Sequence, residues 1–196
     1  FSQLASTFGT VPQNAMITLK KVVDDLISNA TTITITCPHG TKLIGKPNPK
    51  VLKTGESKDG QTLDDASKDV TVVRFPAAVS TPVSAKTFSG QVVLRQGLTS
   101  TGSKVYDPPN LPIASQVVAH VTRGRIERFD GPEEDAQAVR SHYEKVAGLF
   151  GIEPMIVDSW HQGLHPGTDA SAVPEEDLCL WGETLFTSPR YLHFHT

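Results

Sequence analysis

The spacing of apolar residues predicts two amphipathic helices. Apolar side chains recur every three or four positions over about 15–29, which is the period of a helix with one buried face. A second helix is expected after Pro132, because three acidic residues then complement the dipole of its first turn. The apolar residues of the two helices are Leu19, Val22, Val23, Leu26 and Ile27, and Val139, Tyr143, Val146, Leu149 and Phe150.

Short alternating or apolar runs predict strands elsewhere in the chain. The predicted strands are 32–36, 70–75, 90–95, 117–121, 126–129 and 155–157. The fourth and fifth form a hairpin that turns at Arg123-Gly124. Residues 46–68 and 97–112 are rich in small and polar residues, and they predict long surface loops. We therefore expect an α+β domain with a mostly antiparallel sheet, two or three helices and long loops.

Composition and charge exclude several classes of protein. The 18 Lys and Arg residues against 21 Asp and Glu give a net charge of −3, without the basic clusters that duplex nucleic acids require. No apolar stretch approaches the roughly 18–20 residues of a membrane span. Cys37 and Cys179 are too few for a secreted disulfide scaffold, which favours reduced thiols and a cytoplasmic location.

The two ends of the chain predict an interior portion of a longer protein. Phe1 is neither an initiator Met nor the start of a signal peptide, and the last residues form an apolar, His-rich run. We therefore expect residues 1–196 to be one domain of a larger, two-domain chain.

Histidines concentrate near the end of the chain. Four of the seven, His161, His165, His193 and His195, lie in the last 36 residues, where an even distribution would place about one. Imidazole is a common ligand of divalent transition metals, and two histidines separated by one residue on a strand share a face. The pattern therefore predicts a metal site. The alternative is that the strand pair is exposed and binds nothing, with His161 and His165 in an ordinary loop.

Other candidate chemistry is sparse. Asp158 follows the predicted strand 155–157, where it is either a functional carboxylate or a cap. Trp160 and Trp181 flank the His-rich segment as an aromatic wall or as packing residues. The sequence has no glycine-rich phosphate loop, no G-x-S-x-G nucleophile motif and no zinc-type cysteine pairs. A histidine-based metal site is the one constellation that remains.

Several motifs occur in the order found in one group of metalloenzymes. They are the strand and turn at 35–41, Phe75-Pro76, Ser89-Gly90-Gln91-Val92-Val93, Arg123-Gly124-Arg125-Ile126 and Gly163-Leu164-His165-Pro166. In this order the chain resembles the 2,5-dihydroxypyridine 5,6-dioxygenases and, more distantly, the thermophilic leucyl aminopeptidases (aminopeptidase T). The resemblance covers essentially the whole chain. In the last of these motifs, His165 stands where the family has Asn or Gln.

The resemblance implies a ligand set for one ferrous ion. His161 is nearest to the dioxygenases' first histidine, with its spacing shifted by about two positions. His193-Phe194-His195 is similar to their H-x-D pair, with His195 in place of the Asp. Leu185-Phe186-Thr187-Ser188 is similar to their L-F-S segment, which implies that Thr187 or Ser188 contacts the metal or holds a ligated water. Asp158 or His165 would orient a ligand or carry protons.

These expectations favour a mononuclear enzyme that opens a hydroxylated aromatic or N-heteroaromatic ring with O₂. Fe(II) is the expected ion, with Zn(II), Mn(II) or Co(II) as alternatives. The resemblance also leaves open an aminopeptidase-like hydrolase, although that family's F-P-x-G-E-V glutamate is absent after Phe75-Pro76. A degenerate, non-catalytic member is the third alternative. The expected partner is a small-molecule substrate, with a homo-oligomer left open and neither nucleic acid nor membrane expected.

Overall fold

The computed structural model describes residues 11–47, 78–100, 105–168 and 177–196. The helices are α1 (Gln13–Asn29), α2 (Glu133–Phe150) and α3 (Leu178–Thr187), with a short 3-10 turn at Ala85–Thr87. The strands are β1 (Ile33–Thr36), β2 (Lys42–Gly45), β3 (Val83–Ser84), β4 (Ser89–Thr99), β5 (Asn110–Thr122), β6 (Arg125–Asp130), β7 (Ser159–Gln162) and β8 (Leu192–His195). The predicted strand 70–75 and most of the predicted loop 46–68 lie outside the described residues.

The main sheet is antiparallel, and its strand order is β1-β2-β4-β5-β6. Successive side chains of each strand point to opposite faces of the sheet, so every second side chain faces the core. Leu43, Val92, Ala119 and Ile126 lie there, nearly inaccessible to solvent. The predicted hairpin is confirmed, since Arg123-Gly124 joins β5 to β6 with both residues at positive φ. The α+β class with a mostly antiparallel sheet is also confirmed.

The loop that joins β4 to β5 is shorter than the predicted range 97–112. Gly97 pairs with Pro112, Leu98 with Leu111 and Thr99 with Asn110, so β4 and β5 continue into this range from both sides. Apolar residues along this part of the hairpin pack against α2 and compensate for the turn-forming glycine and proline. Tertiary packing therefore overrides the local signals that predicted a loop.

Helix α2 packs on β5 and β6, as its predicted apolar face requires. Val139 is fully buried with Val117, and the Tyr143 ring stacks on Phe129 with centroids 5.8 Å apart. The helix ends at Gly151, which adopts the left-handed conformation (φ 63°) of a common C-terminal cap. Glu133 is the first of three acidic residues in the first turn, as expected.

Helix α1 forms as predicted, but its burial differs from the expectation. Leu19, Val22 and Leu26 are 39, 50 and 68 % exposed. The residues that face the rest of the described chain are on an adjoining stripe, with Met16 buried and Ile27 partly buried. The apolar positions of α1 span two stripes, of which the described residues cover one.

A second, three-stranded sheet has the order β3-β7-β8 and is also antiparallel. Trp160 of β7 and Phe194 of β8 are register partners, and both pack into the main core. Trp160 meets Phe88 edge to face with ring centroids 5.5 Å apart. This face therefore anchors the small sheet, and the alternate residues of β7 and β8 point the other way.

Residues 155–157 do not form the predicted strand. Met155 has a positive φ of 64°, which turns the backbone, and Ile156 makes only an isolated bridge to Arg125. Val157 is buried as expected.

Among the described residues, no helix is both long and apolar enough to cross a membrane.

Candidate functional site

The small sheet brings three of the predicted site residues together. His161 of β7 lies directly opposite His193 of β8, and His195 lies two residues further along β8. Antiparallel register partners share a face, as do residues i and i+2 of a strand. His161, His193 and His195 therefore occupy one face of the β7-β8 ribbon, opposite the face anchored by Trp160.

The His161 ring contacts both of the other histidine rings. The Nε2 atoms of His161 and His195 are 3.5 Å apart, and the centroids of these two rings are 4.6 Å apart. The His161 and His193 centroids are 5.3 Å apart, with the rings nearly perpendicular. His161 is 3 % exposed, whereas His193 and His195 are partly buried. We call these three residues the histidine cluster.

Phe186 of α3 joins the histidine cluster. Its ring stacks on His193 at 11° with centroids 5.2 Å apart, and it meets His161 edge to face at 4.7 Å. The centroid of His195 is 6.2 Å away. Helix α3 is held in place by contacts with the long hairpin, where Gly97 and Gly182 allow close approach. A phenylalanine therefore covers part of the cluster.

Burial keeps two rings of the cluster neutral. It lowers the pKa of His161 to about 3, and the neighbouring His195 and His193 add to this effect by charge repulsion. Burial also lowers the pKa of His193 to about 4, against a small opposing effect of the Leu185 backbone. Neutral imidazole is the form that binds metals, because its ring nitrogen keeps a free lone pair.

Three buried ring nitrogens of the cluster lack hydrogen-bond partners among the described residues. They are Nδ1 of His161 and both nitrogens of His193, which the Leu185 backbone approaches without good hydrogen-bond geometry. An unpaired buried polar atom costs about 1–3 kcal/mol. The cluster thus has unused binding capacity at nitrogens that solvent does not reach.

The distance between the Nε2 atoms of His161 and His195 is close to the distance between two nitrogens that bind one metal ion. Histidine–metal bonds of 2.0–2.1 Å in tetrahedral geometry place two nitrogens about 3.3–3.4 Å apart. The observed Nε2–Nε2 distance of 3.5 Å is close to this value and long for a strong hydrogen bond. As the side chains stand, however, no set of three or more His, Cys, Asp or Glu residues in the described ranges is arranged to hold a metal.

The hydroxyls of Thr187 and Ser188 have partners outside the cluster. Thr187 Oγ1 is 3.1 Å from Thr168 Oγ1, and Ser188 Oγ donates to the Thr168 backbone oxygen at 3.3 Å. All three residues are buried. No hydrogen bond between either hydroxyl and a histidine of the cluster occurs among the described residues, and their predicted role at a metal stays a prediction.

His165 and Asp158 flank the cluster along the chain. The His165 backbone N–H donates to the Thr187 oxygen at 2.9 Å, and burial lowers the pKa of its ring. Asp158 is exposed, and its backbone N–H donates to the His195 oxygen at 2.8 Å. No hydrogen bond or ion pair of the Asp158 carboxylate is found within the described part of the chain. Their predicted roles in orienting ligands or carrying protons stay predictions.

Of the two roles that the sequence left open for the tryptophans, packing is the one that Trp160 takes. Trp160 is part of the main core, on the face of β7 opposite the histidines, while Trp181 is partly buried in α3. Phe186, to which the sequence analysis gave no role, supplies the aromatic contact instead. It could have been noticed from its place beside Thr187 in the segment that resembles the dioxygenase motif.

Comparison with known proteins identifies no relative. No family model matches the chain, and neither the curated proteins nor the solved structures contain a match to it.

Proposed function

We propose that the protein is a mononuclear metal enzyme in which His161, His193 and His195 hold one divalent ion. The observation that carries this proposal is the convergence of three histidines on one sheet face, two of them kept neutral by burial, with two Nε2 atoms 3.5 Å apart. Neutral nitrogen donors favour Fe(II), Co(II), Zn(II) and similar ions over Mg(II) or Ca(II). Fe(II) is our first choice because of the resemblance to the dioxygenases.

The proposed reaction is the opening of a hydroxylated aromatic or N-heteroaromatic ring by O₂. One ring bond breaks and both oxygen atoms enter the product, so O₂ is the oxidant and no external reductant is needed. The ion, when bound, would supply adjacent positions for the substrate hydroxyl and O₂. With three histidine ligands and no carboxylate ligand, the ion would keep its full dipositive charge. That charge would stabilise the ionised hydroxyl of the substrate.

The chain's own groups would bind and orient the substrate. In this proposal the Phe186 ring, which contacts His161, would provide the apolar surface for a planar ring, and the main core that contains Trp160 lies on the other side of β7. In this proposal Thr168 fixes Thr187 and Ser188 against the segment that bears His165. Asp158 and His165 remain the candidates for moving protons.

Metal analysis beside an oxygen-uptake assay tests this function. Protein purified without oxygen should carry about one iron per chain, and the His193→Ala/His195→Ala variant should lose it. The control is His39→Ala, which alters an exposed histidine paired with Arg95. Fe(II)-loaded protein should then consume O₂ with a dihydroxypyridine. Failure of every divalent ion to bind, together with no O₂ uptake, would contradict the proposal.

A non-catalytic protein is the second candidate. The arrangement of the side chains favours it, since no three His, Cys, Asp or Glu residues of the described ranges are placed to hold one metal ion. The aminopeptidase-like hydrolase has less support, because no carboxylate joins the cluster within the described residues and a two-metal site needs bridging groups. Two Zn(II), Co(II) or Mn(II) ions per chain would restore it.

We propose that the protein acts in the cytoplasm and that its partner is a small-molecule substrate. Both Cys37 and Cys179 are exposed free thiols, which supports a reducing compartment. A homo-oligomer also stays a prediction, and sedimentation of the purified protein would test it.

A further inference from the structure

The two edges of the main sheet differ in charge. At one edge, four of the six residues of β6 are charged, namely Arg125, Glu127, Arg128 and Asp130. At the other edge, β1 has the sequence Ile-Thr-Ile-Thr and follows two further threonines, so residues 31–36 carry no charge. Charged side chains on an edge strand discourage pairing with another chain. The β6 edge therefore has this protection, and the β1 edge lacks it.

The apolar core reaches the β1 edge and is only partly covered there. One side of β1 pairs with β2, and no strand among the described residues pairs with its other side. Ile33 and Ile35 pack against the core but are only partly buried, whereas Leu43, the register partner of Ile35, is fully buried. An added strand would bond to the outward N–H and C=O groups of β1 and cover these two isoleucines.

Helix α1 presents a second apolar surface near this edge. Three of its apolar side chains lie at helical spacing and are exposed, and we call Leu19, Val22 and Leu26 the α1 stripe. Only residues 30–32 join α1 to β1, and so short a connection keeps the end of the helix near the strand. Ile27 packs against the same core as Ile33, which places α1 on the core side of β1.

A second copy of the chain fits this edge because β1 is complementary to itself. With a two-fold axis at Thr34, antiparallel pairing sets Thr34 opposite Thr34 of the partner subunit, and Ile33 opposite Ile35 of the partner subunit. Isoleucines then meet isoleucines on the core side of the sheet, and threonines meet threonines on the outer side. Matched β-branched pairs of this kind stabilise neighbouring strands.

Charge and size also favour a second copy. Residues 13–36 hold two lysines and two aspartates, which form ion pairs within α1 and cancel in charge. Two such surfaces do not repel each other. A stable dimer buries roughly 800 Å² on each partner, which is more than a four-residue strand supplies. The α1 stripe would therefore have to form part of the interface.

From these observations we propose that the protein forms a two-fold dimer in which β1 pairs antiparallel with β1 of a second copy. The two five-stranded sheets join into one continuous sheet, and the α1 stripes cover the joined edge on the core side. The dimer does not depend on the histidine cluster, which lies on the separate β7-β8 ribbon. It is therefore independent of the proposed metal chemistry.

Sedimentation equilibrium of the full chain tests the dimer and its surface. The wild type should sediment at twice the mass of one chain. Thr34→Lys sets two like charges opposite each other at the axis, and Leu26→Glu places a carboxylate in the α1 stripe. Each should raise the Kd of the dimer by at least about tenfold. Both side chains are exposed, so the monomer should stay folded, and circular dichroism checks this.

Thr122→Lys is the matched control for Thr34→Lys. Thr122 is also an exposed threonine of the main sheet, but it lies on β5, three strands away from β1. The same change of side chain there should leave the Kd of the dimer unchanged.

A cross-link tests the register of the two strands. Directly opposed residues of an antiparallel pair have Cα atoms about 4.5–5.5 Å apart, which a disulfide can span. In a background where serine replaces the exposed Cys37 and Cys179, Thr34→Cys should form a covalent dimer on mild oxidation. Thr122→Cys in the same background should not.

The outcomes separate this proposal from the metal site. A wild type that stays monomeric overturns it, as does a dimer that Thr34→Lys and Leu26→Glu weaken no more than Thr122→Lys. A protein that dimerises without the Thr34→Cys cross-link overturns the pairing of β1 with itself. If Thr34→Lys fails to fold, Leu26→Glu and the cross-link decide. None of these results alters the metal content expected of the protein, so the two proposals fail separately.

Discussion

At the scale of single residues, the site depends on histidines that stay neutral. Burial is the main cause of the low pKa values of His161 and His193, and the rings also disfavour one another's protonation. A protonated ring would add charge to a region with little access to water, where ionised groups are costly. The same burial that keeps these nitrogens neutral, as the proposed metal site requires, therefore makes the metal-free protein sensitive to acid.

We expect the metal-free protein to lose stability as the pH falls below about 6.5. The unfolded chain binds protons near the ordinary histidine pKa of about 6.5, while folded His161 and His193 resist protonation until about 3 and 4. The unfolded state therefore holds more protons within this window, and the free energy of unfolding decreases as pH falls through it. His161 alone should lower that free energy by about 2 kcal/mol between pH 7 and pH 5.

Urea unfolding at pH 5, 6 and 7, with a chelator present, measures this effect. The His161→Asn variant lacks the titrating ring, so its stability should depend less on pH over the same range. Equal pH dependence in the two proteins would show that His161 is protonated as easily in the folded state as in the unfolded chain.

At the scale of elements, the site depends on how closely the residues after β7 approach the end of α3. A Cβ atom at Gly163 would lie 2.3 Å from the Ser188 backbone oxygen and 2.5 Å from the Thr187 carbonyl carbon. The residues after β7 thus pack directly against the end of α3. This approach allows the hydrogen bond from His165 to Thr187 and fixes Phe186 beside the histidines.

Gly163→Ala should therefore destabilise the protein and disturb the site. The clash is with backbone, which cannot rotate away, so we expect a loss of about 1–3 kcal/mol in unfolding free energy. Weaker metal binding should accompany it, because α3 moves relative to β7.

Gly148→Ala is the matched control for Gly163→Ala. A Cβ there meets nothing within 4 Å, and the position lies inside α2. It should raise stability by about 0.5–1 kcal/mol, since alanine favours the helix. Thermal melts of both variants and a metal titration give the comparison, and equal effects would contradict the close-approach argument.

The elements themselves were partly predictable. The helix 15–29, the hairpin at Arg123-Gly124 and the helix after Pro132 have strong local signals, and all three form. Helix α3 was missed because it is apolar on nearly all sides and has no clear stripe. The four-residue strand β2 was missed because its alternation is too short to stand out.

At the scale of the whole molecule, a metal should act as a link between distant parts of the chain. His161 and His195 are 34 residues apart, and their strands contact one another only in the folded state. An ion that binds the native site and not the unfolded chain stabilises the fold in proportion to the logarithm of its concentration.

Addition of Fe(II) or Co(II) to metal-free protein should therefore raise the melting temperature. At 100 times the dissociation constant the gain is about 2.7 kcal/mol, or roughly 5–10 °C for a chain of this size. A chelator should reverse it, and the His193→Ala/His195→Ala variant should show a much smaller rise. An unchanged melting temperature with every ion and with chelator would favour the non-catalytic candidate.

The sequence by itself determined the α+β class, the main helices and the common face of His193 and His195. These follow from local periodicity, which depends on neighbours a few residues apart. Only the tertiary structure decided that β7 pairs with β8, which places His161 opposite His193, and that α3 inserts Phe186 among the histidines. Such long-range contacts arise from packing between segments whose separate patterns do not specify partners, and so the site became visible only in the folded molecule.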